Sequence, residues 1–174
     1  MKNILIVSAT QKNNYMLAKD IEAILKLKNN NFKAPSIKVI SLEDFPLPIY
    51  TDSSFDENLE IYKDTIEKLT NIFVESQGII ICGPEYNGSI PPIINNAIAW
   101  ISTTTEYWRD AFNKKIALIG TSSGGPGTKY ITTMKLQMEH LGCVVMPRSI
   151  SANKSNPLNE KSTTKILEQF IDLI

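Results

Sequence analysis

Short runs of apolar, mostly β-branched residues recur along the chain at Ile4 to Val7, Ile37 to Ile40 (broken by Lys38), Ile79 to Cys82, Ile116 to Ile119 and Cys143 to Met146. Continuous runs of this length predict strands covered on both faces. Between them the apolar positions change to helical spacing. Leu17, Ile21, Ile24 and Leu25 share one face; Ile61, Thr65, Leu69, Ile72 and Phe73 share a second. Ile94, Ala97, Ile98 and Ile101 form a third, Ile131, Met134, Met138 and Leu141 a fourth, and Ile166, Leu167, Phe170 and Ile174 a fifth. Strand and helix thus alternate five times.

Parallel neighbours need a right-handed crossover, and a helix is the compact way to make one. The pattern therefore predicts an α/β fold: a doubly wound five-stranded parallel sheet of order 2-1-3-4-5 with helices on both faces. No internal repeat, low-complexity tract or Gly/Ser-rich linker divides the chain, so a single domain over residues 1–174 is expected. The segment from Glu43 to Glu57 interrupts the regularity. Pro46, Pro48 and the Thr51-Asp52-Ser53-Ser54 cluster predict a long loop there, and long loops in compact domains are often functional.

Composition narrows the function classes. With 174 residues, 43% hydrophobic and 21% charged, the chain suits one ordinary globular domain and neither a disordered segment nor a disulfide scaffold. Lys plus Arg equal Asp plus Glu at 18 each, which leaves no net field to draw nucleic acid or an anionic membrane surface. Cys82 and Cys143 each adjoin an apolar run and read as small reduced core residues. Only four apolar residues follow Met1-Lys2-Asn3, too few for a secretory leader, and no stretch approaches the ~18 of a membrane span. A cytoplasmic protein with no nucleic-acid and no membrane partner is expected.

In this architecture ligands bind beyond the carboxyl ends of the strands, where strand order reverses. The segments to inspect are Ser8 to Asn14, Gly83 to Ser89 and Thr121 to Thr128, all rich in Gly, Ser, Thr and Asn. Such residues aim N–H groups and hydroxyls at an anion or polar heterocycle in front of a helix N-terminus. Helix capping alone favours the same residues, but three such loops at one sheet edge point further. A P-loop is excluded because Thr128 separates Gly127 from Lys129, and a dinucleotide fingerprint is excluded because Val7 to Lys12 holds no glycine. No Asp ends the first or third strand, which disfavours a phosphoacceptor domain.

The middle loop is more specific. Gly83-Pro84-Glu85-Tyr86-Asn87-Gly88-Ser89-Ile90-Pro91-Pro92, followed by Asn95-Asn96-Ala97 and Trp100, closely resembles the signature of the NADPH-dependent FMN reductases of flavodoxin-like fold. The resemblance continues through Lys115 to Gly127, with its Ser122-Ser123-Gly124-Gly125-Pro126-Gly127 loop, and on to Leu141-Gly142. It implies that Pro84, Glu85, Tyr86 and Asn87 contact the flavin ring and that Ser122 with Gly124 frames its far side. Tyr86 has the apolar face and polar tip suited to a flat heterocycle, although a plain lid role for Tyr86 and a plain turn at Asn87-Gly88 also fit.

The first loop departs from the family pattern, in which a Ser, an Arg, a second Ser and an Asn hold the FMN phosphate. Aligned without gaps, Ser8 matches, while Thr10, Asn13 and Tyr15 stand where the other three would be. Lys12 and Asn14 are the candidates to compensate, a Lys neutralising phosphate as a point charge without Arg's bidentate fork. His140, the only histidine, reads as a helix-end residue; Trp108 and Arg109 read as surface, partner-facing or nicotinamide-facing.

The resemblance implies an FMN-dependent oxidoreductase that takes electrons from NADPH or NADH and passes them to a small-molecule acceptor: a quinone, azo compound, metal ion or free flavin. The cofactor would carry the chemistry, so no catalytic side chain and no metal is expected. Competing readings are a flavodoxin-like electron carrier without NAD(P)H turnover and a flavin-free scaffold of the same fold. A homodimer or homotetramer is expected by the same resemblance, with Trp100, Tyr107 and Trp108 as interface aromatics.

Overall fold

In the computed structural model, which describes residues 2–28 and 35–174, the apolar runs pair edge to edge as one parallel sheet. Its strands β1 (Asn3–Ser8), β2 (Ser36–Ser41), β3 (Gly78–Cys82), β4 (Ile116–Ser122) and β5 (Val144–Val145) lie in the order β2-β1-β3-β4-β5. This is the predicted doubly wound order. The register sets Ser8 level with Ser41 and Cys82, and Cys82 level with Gly120, so three strands end together at one edge.

The period-two alternation of β side chains divides the core between the two faces. Leu5, Val7, Ile79, Ile81, Ala117 and Ile119 face one cluster with residues of α2 (Phe55–Val74), α3 (Pro92–Thr103) and α4 (Thr128–His140). Ile4, Ile6, Ile80, Cys82 and Leu118 face the other, with Leu17, Ile21 and Leu25 of α1 (Asn13–Lys28) and Ile166 and Phe170 of α5 (Glu160–Leu173). Both cysteines are buried and free. The described residues of helices α1 to α5 contain no span long and apolar enough to cross a membrane.

Three expectations are corrected. The last apolar run, Cys143 to Met146, is a strand only at Val144–Val145, and a sixth strand, β6 (Ile150–Ala152), takes over the pairing with β4. Val145 to Ile150 is five steps whereas Ala117 to Gly120 is three, so the edge strand carries two surplus residues. Pro147 falls in that surplus, where a residue without an N–H belongs. Secondly, Glu43 to Glu57 is not one irregular loop. Single 3-10 turns occupy Leu42–Asp44 and Asp52–Ser54, α2 already begins at Phe55, and Ile61 is exposed rather than on its core face.

The third correction concerns Trp100, which is fully buried and cannot be an interface residue. Its ring stacks on Phe55 at 5.7 Å and meets the edge of Tyr50 at 5.2 Å, and its Nε1 donates to the Pro48 carbonyl at 2.8 Å. One turn earlier on α3, Asn96 Nδ2 donates to the same carbonyl at 2.9 Å while Asn96 Oδ1 accepts from the Tyr50 N–H at 2.8 Å. The strap 45–54 is thereby fastened across α3. Tyr107 and Trp108 are exposed; the Arg109 guanidinium lies 4.2 Å over the Trp108 ring, and the His140 ring lies 5.5 Å from it.

At the opposite edge of the sheet, buried Lys115 adds a side-chain donor to the C-terminal end of α2, which Glu75 and Ser76 already cap. Its Nζ donates to the carbonyls of Phe73 (2.9 Å), Val74 (2.8 Å) and Ser76. Burial holds its pKa below the ordinary lysine value. Lys115→Met keeps the apolar stem but removes the donor to the Val74 and Ser76 carbonyls, while the Phe73 carbonyl keeps the Ser76 hydroxyl at 2.8 Å, and we expect a loss of about 2 kcal/mol by urea denaturation, after subtracting the relief of burying a charge. Ligand binding at the other end of the sheet, where the polar loops lie, should not change.

Candidate functional site

Beyond the level ends of β1 and β3 the ladder continues for one more residue. The Ala9 N–H donates to the Cys82 carbonyl at 2.8 Å and the Gly83 N–H to the Gly120 carbonyl at 3.1 Å. The three loops then diverge around a cleft of about 630 Å³, within the usual size range for small-molecule sites. Thr10, Gln11, Lys12, Asn13 and Asn14 line it from the first loop, Pro84, Glu85 and Tyr86 from the second, Ser122, Ser123 and Gly124 from the third, and Glu43 from the strap side.

In the first loop, the Ser8 hydroxyl is buried and donates to the Thr10 carbonyl at 2.6 Å, so it shapes the turn from beneath instead of lining the cleft. The Lys12 carbonyl accepts from the Met16 N–H at 3.1 Å and opens α1. The first amides of a helix have no partner within it, and α1 carries no acidic residue in its first turn. Lys12 is exposed and is the cation on the lining; Gln11 Nε2 donates to Asp44 at 2.7 Å and ties the loop to the first 3-10 turn. Tyr15 is half-buried and outside the lining. Asn14, only 2% exposed, accepts from the Ser122 N–H at 2.8 Å and donates to the Ser122 carbonyl at 3.0 Å. Its amide is a two-bond clasp between the first and third loops.

The second loop turns back on itself through paired bonds, Tyr86 N–H to the Ser89 carbonyl at 3.1 Å and Ser89 N–H to the Tyr86 carbonyl at 2.9 Å. Asn87 and Gly88 between them have φ of 50° and 72°, the tight hairpin turn that Asn-Gly favours. Asn87 is therefore the tip of a turn and does not line the cleft, whereas Tyr86, 50% exposed, stands as one wall. Glu85 is held at both ends: its N–H donates to Ser123 Oγ at 2.8 Å, and its Oε2 accepts from the Lys129 and Tyr130 N–H groups at 3.0 and 3.4 Å. Those amides open α4, whose N-cap, Gly127, has no side chain to offer.

Beneath the second loop, a methyl group on Gly83 would meet the buried Tyr130 hydroxyl at 2.7 Å, so only glycine fits there. In the third loop Thr121 Oγ1 donates to the Gly83 carbonyl at 2.8 Å. A methyl group on Gly124 or Gly125 would meet nothing within 4 Å, so this side of the mouth stays open.

Sequence reasoning missed Gln11, Ser123 and Glu43, although all lie in segments it had marked. No cluster of His, Cys, Asp and Glu among the described residues could hold a metal, and His140 lies apart at the end of α4. Burial pushes the Cys82 thiol up to about 12, which leaves it protonated and unreactive.

An open helix N-terminus with one lysine at one end and a tyrosine wall facing a glycine loop at the other define a flavodoxin-like domain that fits a phosphate-bearing, flat-ringed ligand. The donor set and volume fit FMN. The chain belongs to the NADPH-dependent FMN reductase family, whose model matches residues 1–157.

Among curated proteins, a 2-hydroxy-1,4-benzoquinone reductase from Burkholderia sp is 36% identical over 87 residues, covering 47% of this chain and 42% of that protein. A quinone reductase of Pseudomonas putida is 28% identical over 152 residues, covering 80% of this chain and 77% of that protein. The chain spans less than half the length of the first several curated relatives it matches. The solved structure of FerB, a flavoenzyme NAD(P)H:(acceptor) oxidoreductase from Paracoccus denitrificans, superposes with a TM-score of 0.74 at 20% identity, over 99% of this chain and 97% of that one. That likeness concerns the fold.

Proposed function

We propose that the cleft binds FMN and that the chain is an NAD(P)H-dependent reductase of a small-molecule acceptor, in the first instance a quinone or azo compound. The observation that carries this is the convergence of the three loops on one cleft with an anion-accepting end and a ring-accepting end. When bound, FMN would supply the chemistry, accepting hydride from a nicotinamide and delivering electrons to the acceptor. The remaining work is done by this chain's residues. Lys12 and the first amides of α1 neutralise and hold the phosphate. Tyr86 and the backbone of Pro84 and Glu85 orient the ring, and Asn14, Ser123 and Glu85 fasten the loops to one another so that the walls are set before the ligand arrives.

No side chain on the lining is asked to move a proton, and the Glu85 carboxylate is committed to α4. A homodimer or homotetramer belongs to this reading, drawing on exposed Tyr107 and Trp108 and not on Trp100. Metal-ion and free-flavin reduction stand as further acceptor options within it.

The test is spectroscopic. Protein loaded with FMN should be yellow, and anaerobic addition of NADPH or NADH should bleach it. Tyr86→Ala should slow the bleaching by about tenfold or more through lost ring orientation. A loaded protein that stays yellow with both nucleotides would favour the carrier, and failure to take up FMN would favour the scaffold.

A further inference from the structure

Beside the flavin cleft lies a second cavity, of about 210 Å³, between the strap and the helices beneath it. Leu42, Phe45 and Leu47 wall it on one side, and Leu69 of α2 with Ile93 and Ala97 of α3 wall it on the other. Glu43 borders this cavity and the flavin cleft alike, so the two spaces adjoin at that residue. The volume exceeds the ~150 Å³ that admits a benzene ring into an apolar protein cavity.

The chemistry of the lining selects the occupant. Asn96 is a polar side chain on the inner wall, and both ends of its amide are already committed to the strap backbone. No lysine, arginine or histidine lines the cavity, and the Glu43 carboxylate at its edge repels anions. What remains is an apolar slot one ring in size beside the cleft.

We propose that this cavity is a subsite for an uncharged aromatic ring of the electron acceptor, such as the second ring of a fused-ring quinone. The inference rests on the reductase reading for its ligand class. It makes Leu47 and Ile93 specificity-determining residues, and it gives the strap's fastening by Asn96 and Trp100 a purpose: holding the roof of the slot at a fixed height.

The experiment compares menadione, which carries the second ring, with para-benzoquinone, which does not. Binding of each to FMN-supplied protein without reductant is measured by equilibrium dialysis, and the ratio of their kcat/KM values is measured with NADPH. Leu47→Phe fills the slot from the strap, and Ile93→Phe fills it from α3; whichever variant retains the parent's melting curve is used. The proposal expects menadione binding to weaken at least tenfold, and the kcat/KM ratio to fall likewise.

Menadione binding unchanged in a folded, filled variant overturns the subsite, whatever the turnover. Absence of NADPH turnover in the parent, with the dialysis difference intact, overturns the reductase reading instead and leaves an aromatic-ring site in place.

Discussion

Asn14→Asp is expected to weaken FMN binding by roughly a hundredfold, about 2.7 kcal/mol, as measured by flavin fluorescence titration. The exchange is nearly isosteric, so packing is preserved. What changes is that an N–H donor becomes an oxygen facing the Ser122 carbonyl, at a position only 2% exposed. The third loop is released from the first, and a buried negative charge arrives beside the site proposed for the phosphate. Riboflavin separates the two effects. It should lose only the part due to the released clasp, on the scale of one or two hydrogen bonds, about 1–2 kcal/mol, because it has no phosphate to be repelled. Equal losses for both ligands would place the phosphate elsewhere.

Trp100→Ala is expected to remove about 4 kcal/mol of stability, the upper range for deleting a buried aromatic. For a chain of 174 residues this corresponds to a fall in Tm of roughly 8–16 °C. The deletion takes away the stacking partner of Phe55, the edge contact with Tyr50 and a donor to Pro48 together. Trp100→Phe retains most of the ring and leaves Asn96 as the donor to Pro48, so its loss should be near 1 kcal/mol, the worth of the one missing hydrogen bond. Similar losses for the two variants would mean that the Nε1 bond, not the ring, secures the strap.

The alternation of apolar runs and helical faces specified the sheet, its order and the two-sided core, because burial periodicity is written locally in the chain. The three polar loops were legible for the same reason: each follows a strand directly. What the sequence did not disclose were partnerships between distant residues. Asn14 has the composition of an anion ligand, yet its amide is taken by Ser122, which lies 108 residues away. Glu85 matches a ring-contact motif, yet its carboxylate caps a helix that starts at Thr128. Trp100 was placed at an interface because an aromatic on a helix announces burial without saying against what. Only the Asn87-Gly88 turn was open to local reading, because its two left-handed residues are written in the dipeptide itself.

Glu85 also gives the cleft a direction. Of the helices that start at this edge of the sheet, α1 follows the first loop and α4 the third, and either could have attracted an anion. By setting its own carboxylate on the amides of Lys129 and Tyr130, the chain removes α4 from the competition and leaves α1 as the open pole. The recess is keyed: a molecule with one anionic tail and one flat head enters it one way round.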